Sequence, residues 1–279
     1  MSKRQIKKTV LIGSSGTGNA FSSILALRRT WGDSVKIVAI DTNPRNLVTS
    51  SLLSDIYYQV PENCKPEFKD KVTEICSKEN IDTYIPFIDE EIFAAAVLYE
   101  EKRLREDIGL QVRNSGIADL CNDKYKTYLW LSEEGILTPE CYKSDNMPAA
   151  PEHYILKPRK GFGTRIIKMS ETNLKPGEFN PEQYIIQYEC EKPEITIDVC
   201  YDRGRKYFNY VCRERIETKS GVCTKARLFY DDKLGNLAFQ IAEKLELSSY
   251  CFQVMTMKGE WAVTDINPRL GAGTGMSLA

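Results

Sequence analysis

Up to about Asn114 the chain alternates short apolar runs, "TVLI", "VKIVAI", "YYQV", "DTYIPF" and "LQVR", with longer helical patterns, "FSSILALRR", "EFKDKVTEICSKEN" and "EEIFAAAVLYEEKRLRE". Strands that can neighbour one another only through an intervening helix form a parallel sheet wrapped by helices, so residues 1–114 are expected to form a Rossmann-like α/β domain. A linking helix is expected over "NDKYKTYLWLSEEGI", with Asn122 or Asp123 as its cap and Gly135 just past its end. Beyond it strands follow strands: "YILKP", "RIIKM", "YIIQYE", "EITIDVCYD", "KYFNYVC", "YCFQVM" and "WAVTDIN", with one helix over "LGNLAFQIAEKL". Period-two alternation between glycine-containing turns predicts antiparallel sheets, in a small lobe over 115–190 and a C-terminal lobe over 191–279.

At 279 residues and 42% hydrophobic, the chain can bury a core in each of two domains. Lys plus Arg number 38 against 39 Asp plus Glu, so no charge excess points to nucleic acid or to an anionic membrane. A small molecule is the expected partner. Nine cysteines without a C-x-x-C pair fit a reducing compartment, and no apolar stretch approaches the roughly 20 residues that span a bilayer. The "MSKRQIKKTVLIG" start lacks a secretory pattern, and a cytoplasmic location is expected. The single histidine, His153, follows a Pro-rich loop and reads as a surface residue, which nearly excludes histidine-base and multi-histidine metal mechanisms.

"VLIGSSGTGNA" looks like a dinucleotide turn but fails its spacing: from Gly16 the third glycine position is Phe21, and from Gly13 the second is Ser15. No Lys-Ser/Thr pair follows, so a Walker A loop fails as well. Asp41 stands where a ribose-binding acid would, which keeps a nicotinamide oxidoreductase as a minor alternative. Otherwise the turn is a tight strand-to-helix connection whose Ser14, Ser15 and Thr17 are candidates for holding a carboxylate at the helix N-terminus.

Three later segments carry more chemistry. "YILKPRKGFGTRIIKM" places Lys157 on a strand and Gly161 and Gly163 in a hairpin loop, a cation and a set of backbone N–H groups suited to one polyphosphate. In "IIQYECEKPEITIDV" the bend at Glu189 and Cys190 offers free backbone groups to a flat heterocycle. Glu194, Thr196 and Asp198 share a strand face there, which suits either ribose hydroxyls or solvent. In "YCFQVMTMKGEWAVTDINPRLGAGTGMS", Asp265 and Asn267 share a face with Arg269 next in the same sense. A three-residue loop of Lys258, Gly259 and Glu260 would set Gln253 opposite Asp265. Three oxygen-bearing side chains converging in this way suit Mg²⁺.

In order and spacing these segments resemble the ATP-grasp superfamily, in particular its carbamoyl-phosphate-synthase-like, short single-unit branch. The likeness covers nearly the whole chain: "NDKYKTYLWLSEEGILTP", "ILKP…GFGTRI", "QYEC" and "DINPR". It implies a Rossmann-like preATP-grasp domain followed by an α+β ATP-grasp domain with antiparallel sheets, the nucleotide lying between two of them. By the resemblance, Lys124 and Lys157 contact the nucleotide, Gly161, Phe162, Gly163 and Thr164 form the phosphate lid, Glu189 and Cys190 the adenine hinge, and Glu194 the ribose acid. Gln253, Asp265 and Asn267 match the metal ligands, Arg269 the residue that steadies the phosphoryl group, and Arg213 and Lys225 candidates for phosphate or substrate carboxylate. Two departures stand out: Tyr188 precedes Glu189 where the commoner order is acid then aromatic, and Asp265 stands where glutamate is usual. Family members continue past "NPR" into a further helix or domain, so the resemblance implies more chain, a homodimer partner or a second chain completing that surface.

The implied reaction is ATP-dependent ligation, with Mg²⁺ or Mn²⁺, of a small-molecule carboxylate to an amine or ammonia-like nucleophile through an acylphosphate. It needs neither a histidine nor a nucleophilic side chain. A non-catalytic ATP- or ADP-binding regulatory module is the alternative from another class.

Overall fold

The computed structural model describes residues 6–143, 146, 151–161, 166–171, 178–219 and 221–278. The first domain runs β1 (Lys8–Ile12), α1 (Gly18–Trp31), β2 (Val35–Asp41), β3 (Ile56–Gln59), α2 (Pro66–Lys78), β4 (Thr83–Ile85) and α3 (Asp89–Glu100), with a parallel sheet in the order β3-β2-β1-β4. Strands buried on both faces need apolar residues in both registers, which is why β1 and β2 read as continuous apolar runs. Val10 and Ile12 pack with Ala20 and Ile24 of α1, while Leu11 packs with Phe68, Val72 and Leu98 from α2 and α3. Since β2 and β4 flank β1, the switch point of the sheet lies between β1 and β4.

Two expectations fail at the end of this domain. "LQVR" is not a strand; Gly109 alone makes a bridge, to Thr83. Its alternation has another cause: Leu110 is buried in the core of the first domain and Val112 in that of the C-terminal lobe, because the segment passes between them. The helix expected through "EKRLRE" stops at Glu100, and Lys102 follows in the left-handed region at φ 56°.

The linker holds two helices, α4 (Ser115–Asn122) and α5 (Lys124–Glu133). Asn114 caps the first by accepting the Ile117 N–H, and Asp123 caps the second by accepting those of Tyr125 and Lys126. A four-stranded antiparallel sheet follows, ordered β5 (Cys141–Tyr142), β8 (Tyr184–Tyr188), β6 (Tyr154–Pro158), β7 (Ile167–Lys168). The C-terminal lobe contributes β9 (Glu191–Asp202), β10 (Tyr207–Lys219), β11 (Val222–Phe229), α6 (Asp232–Leu245), β12 (Ser249–Met257), β13 (Glu260–Asn267) and the short α7 (Thr274–Ser277). Its antiparallel sheet is ordered β11-β10-β9-β12-β13.

One face of this five-stranded sheet is apolar: Ile195, Ile197, Tyr250, Phe252 and Val263 pack with Leu234, Ala238, Ile241 and Leu245 of α6. Each fully buried Leu or Ile there contributes about 2 kcal/mol of transfer free energy. Strand alternation then dictates the composition of the opposite face, which carries Thr196, Asp198, Arg213, Gln253 and Asp265. Among the described residues no helix is long and apolar enough to cross a membrane.

Candidate active site

The polar face is organised by one hairpin. Lys258 and Gly259 form a two-residue turn with φ of 52° and 84°, the left-handed pair that suits the twist of adjacent strands. The expected three-residue loop is therefore wrong, because Glu260 already pairs with Met257. A two-residue turn alone would set Gln253 opposite Thr264. The ladder instead passes from Val254↔Val263 to Gln253↔Asp265, leaving Thr264 as an extra residue, and this bulge restores the pairing that the longer loop would have produced. Across four strands Arg213, Thr196, Gln253 and Asp265 stand in one row. In the adjoining row Asp198 pairs with Cys251 and Cys251 with Asn267. The Asn267 Nδ2 donates to Asp265 Oδ2 at 3.0 Å.

Lys157 is buried on β6 of the four-stranded sheet, within electrostatic reach of Asp265. Burial pushes its ammonium pKa down, while the thiol of Cys141 and the carboxylate of Asp265 pull it back up. Burial also holds the Cys141 and Cys190 thiols at about 11. Lys124, first residue of α5, donates from Nζ to the Gly161 carbonyl at 2.9 Å and from its N–H to the Arg159 carbonyl at 3.0 Å. Arg159 in turn pairs with Asp123 at 2.8 Å, so the α5 cap also staples the base of the glycine loop. Gly161 has φ 83°, a conformation that favours glycine. Phe162, Gly163 and Thr164 lie outside the described residues.

The hinge needs a correction. The Glu189 N–H is not free but donates to the His153 carbonyl at 2.9 Å, because the β6–β8 ladder extends one bond past Tyr188. The Glu189 carboxylate pairs with Lys168 at 2.6 Å. Glu194 forms an ion pair with Arg215, which also donates to the Gly221 carbonyl at 2.7 Å. Arg213 is buried against Asp198. Arg269 reaches back to the first domain, where its Nε donates to Asp89 Oδ1 at 3.0 Å.

Lys225 does not join this group. A register irregularity between Arg215 and Glu217 puts Lys225 opposite Glu217, and the two form an exposed ion pair of 2.7 Å near the end of the β10–β11 hairpin. His153 is exposed, as its loop position predicts.

The first turn is acidic. Glu91, buried at the head of α3, accepts the Ser14 Oγ–H at 2.5 Å and the Tyr84 O–H at 2.6 Å. A Cβ on Gly13 would lie 1.9 Å from Glu91 Oε1, so Gly13 is what admits that carboxylate between β1 and β4. Asp41 accepts the Gly16 N–H at 2.7 Å and the Asn43 N–H at 2.9 Å. Burial, with the charge of Asp41, raises the Glu91 pKa to about 7. Both acids line a cavity of about 350 Å³ with Ser14, Thr42, Val48 and Phe68. Neither has a cationic partner among the described residues. Two readings of this turn lose support: Glu91 occupies the β1–β4 switch point that a dinucleotide would cross, and a carboxylate at Ser14, Ser15 and Thr17 would meet two acids, with the Ser15, Gly16 and Thr17 N–H groups already bonded.

A family model described as an ATP-grasp domain matches residues 121–273, more than half of the chain. The chain belongs to the ATP-grasp family. That membership makes it an enzyme of the ATP-dependent ligase type. A second model, a PylC-like N-terminal domain, matches residues 10–112. No curated protein sequence matches the ATP-grasp chain. Among solved structures it is similar to an L-amino acid ligase from Bacillus licheniformis, at 15% identity and a TM-score of 0.70 over 98% of this chain and 69% of that one. It is also similar to N5-carboxyaminoimidazole ribonucleotide synthetase from Thermotoga maritima, at 16% and 0.65 over 94% and 69%. A third is the biotin carboxylase domain of the Hydrogenobacter thermophilus 2-oxoglutarate carboxylase, solved with MgADP and bicarbonate, at 16% and 0.65 over 97% and 66%. At these identities the likeness establishes the ATP-grasp fold.

The ATP-grasp face fits a hard cation. With its Nδ2 spent on Asp265, Asn267 keeps its amide oxygen as an acceptor, beside the second oxygen of Asp265 and the Gln253 amide opposite. Among the described residues no group of three or more His, Cys, Asp or Glu could hold a metal, so the donor set rests on one carboxylate and two amides. Such a set leaves coordination positions for phosphate oxygens and water. Arg159 and Asp89 organise the site without matching any family signature; Asp123 falls in the "NDK" motif but is expected there only as a helix cap, and Asp198 was signalled only by sharing a strand face with Glu194 and Thr196.

Proposed function

We propose that the chain is an ATP- and Mg²⁺-dependent ligase that joins a small-molecule carboxylate to an amine or related nitrogen nucleophile through an acylphosphate, with Mn²⁺ able to replace Mg²⁺. The observation that carries this reading is the pairing of Gln253 with Asp265 on the five-stranded sheet, with Lys157 buried on the four-stranded sheet within electrostatic reach of Asp265. A buried cation within reach of a carboxylate and two amides is complementary to a metal-bound polyphosphate and to little else of that size.

In this reading a substrate carboxylate oxygen attacks the γ-phosphorus, the bond to the β-bridging oxygen breaks and ADP leaves. The amine then attacks the acyl carbon, inorganic phosphate departs, and the nitrogen gives up its proton to solvent or to the departing phosphate. The residues of this chain position and neutralise charge. Lys157 and Lys124 hold phosphate oxygens, Arg269 steadies the transferred group, and Arg213 lines the carboxylate side. The Cys190 N–H and the Glu189 carbonyl meet the adenine edge, with Glu194 at the ribose. Gln253, Asp265 and Asn267 would hold Mg²⁺, which would supply charge neutralisation for the polyphosphate. Asp41 and the partly protonated Glu91 of the first-domain cavity favour the amine-bearing substrate there, and an ammonium held by them loses one proton to solvent before the free amine attacks.

Phosphate release from ATP and Mg²⁺ across a panel of paired amino acids and amines tests the reading. Asp265→Ala is expected to abolish the turnover found with the productive pair, and wild-type turnover in that variant would overturn the site. MgADP binding without turnover on any pair would favour the regulatory module instead.

A further inference from the structure

Immediately after the strand that carries Asp265 and Asn267, the chain folds back over the same sheet face. Asp198 is the point on which it lands. This buried carboxylate accepts Arg213 Nε–H at 3.1 Å and Nη2–H at 3.4 Å, the Thr274 Oγ1–H at 2.7 Å and the Ser277 Oγ–H at 2.6 Å. At two glycines the backbone approaches this face closely. A Cβ on Gly273 would sit 2.2 Å from Arg213 Nη1, and one on Gly271 3.1 Å from Cys251 Sγ. The far side of the segment is tied to the first domain, since Asn19 Nδ2 donates to the Leu270 carbonyl at 3.1 Å and Gly275 packs on Ser22 of α1.

Asn267 and Arg269 stand at the head of this segment. Their backbone is therefore held from two directions, by the β12–β13 ladder before them and by the Asp198 contacts after them. The Asp198 row is next to the row of Gln253 and Asp265, with Cys251 the one residue between Asp198 and Asn267 across the sheet.

We propose that Asp198 is a positioning residue for the ligase reaction: together with Arg213 it anchors Thr274 and Ser277 and thereby sets the place of Asn267 and Arg269 at the metal and phosphoryl end of the site. This assigns Arg213 to holding the segment through Asp198, as well as to any contact with substrate, and it rests on the ligase reading above. It also makes the metal face depend on docking of the first domain, because α1 holds the other edge of the same segment.

The test is the Mg²⁺ dependence of ADP binding to the full chain, measured by isothermal titration, with ADP alone as the reference. The double variant Thr274→Val/Ser277→Ala removes two donors and leaves the buried Asp198–Arg213 pair intact. It is expected to raise the Mg²⁺ concentration for half-maximal enhancement of ADP binding about tenfold, as loss of outer ligand-orienting partners does at metal sites. Metal-free ADP affinity is expected to stay unchanged. Asp198→Asn is expected to shift the same midpoint further, and Thr274→Ser to restore wild-type behaviour. A merely structural role would lower the melting temperature of the double variant and leave its Mg²⁺ midpoint at the wild-type value; that result would overturn the proposal. If wild-type protein binds ADP no more tightly with Mg²⁺ than without it, the ligase reading fails and the inference falls with it.

Discussion

Gly13 and Glu91 show how one missing methyl group can decide what a sheet edge does. The carboxylate lies where the Gly13 Cβ would be, so Gly13→Ala is expected to destabilise the fold by about 1–3 kcal/mol, the usual penalty of overpacking, read as a lowered urea midpoint. Glu91 itself makes stability depend on pH. Its folded pKa is about 7 against an ordinary 4.5, so between those values the folded chain holds a proton that the unfolded chain has released. Stability contributed by that proton is complete below the lower value and lost as pH rises through the upper one, at about 1.4 kcal/mol per pH unit. Glu91→Gln should flatten the fall of melting temperature between pH 5 and 7.5 and leave the variant the more stable at pH 8. An unchanged slope would mean that Glu91 is not buried beside Asp41.

At the scale of elements, the β12–β13 hairpin and helix α6 serve opposite faces of one sheet, and their defects should read out differently. Gly259 sits at φ 84°, and Gly259→Ala is expected to cost about 1 kcal/mol and to weaken MgADP binding, because turn and bulge together set Gln253 opposite Asp265. Asp231 caps α6 by accepting the Leu234 N–H at 3.0 Å. Asp231→Ala should cost a similar amount, about 1 kcal/mol by chemical denaturation, yet leave MgADP affinity untouched, since α6 lies on the apolar face. The pairing of Gln253 with Asp265 was expected from a three-residue loop that the chain does not form; alternation fixed the face of both residues but not their register. Local sequence does not reveal that a two-residue turn and the bulge at Thr264 each shift the register by one and cancel.

Across the whole molecule the two domains are sewn together at several points: Arg269 to Asp89, Asn19 to the Leu270 carbonyl, Ser248 to the Leu110 carbonyl at 3.0 Å, and Val112 in the core of the C-terminal lobe. A ligand that binds the native state alone stabilises all of it. MgADP at 100 times its dissociation constant should add about 2.7 kcal/mol and raise the melting temperature by several degrees. Asp265→Ala should lose most of that shift without a comparable loss of stability in the absence of ligand. Equal shifts in wild type and variant would place the metal elsewhere.

The sequence by itself determined the layer order of the molecule and the face on which its polar residues collect. Both follow from periodicity, and burial of the apolar positions leaves the strands little choice of side. It also offered Lys157, Asp265 and Asn267 as candidates for the nucleotide and the metal, the last two placed on one strand face by the pleat. Only the tertiary structure decided how these groups are partnered. It tied Arg213 to Asp198 and Arg269 to Asp89, spent the Glu189 N–H on His153, paired Lys225 with Glu217 away from the cleft, and filled the first glycine turn with Glu91. Each of these contacts joins residues that no local pattern relates, through irregularities of register and the packing of one domain on another. A charged side chain on the expected face takes whichever counter-charge the fold brings within about 3 Å, and that partner sets where the side chain lies.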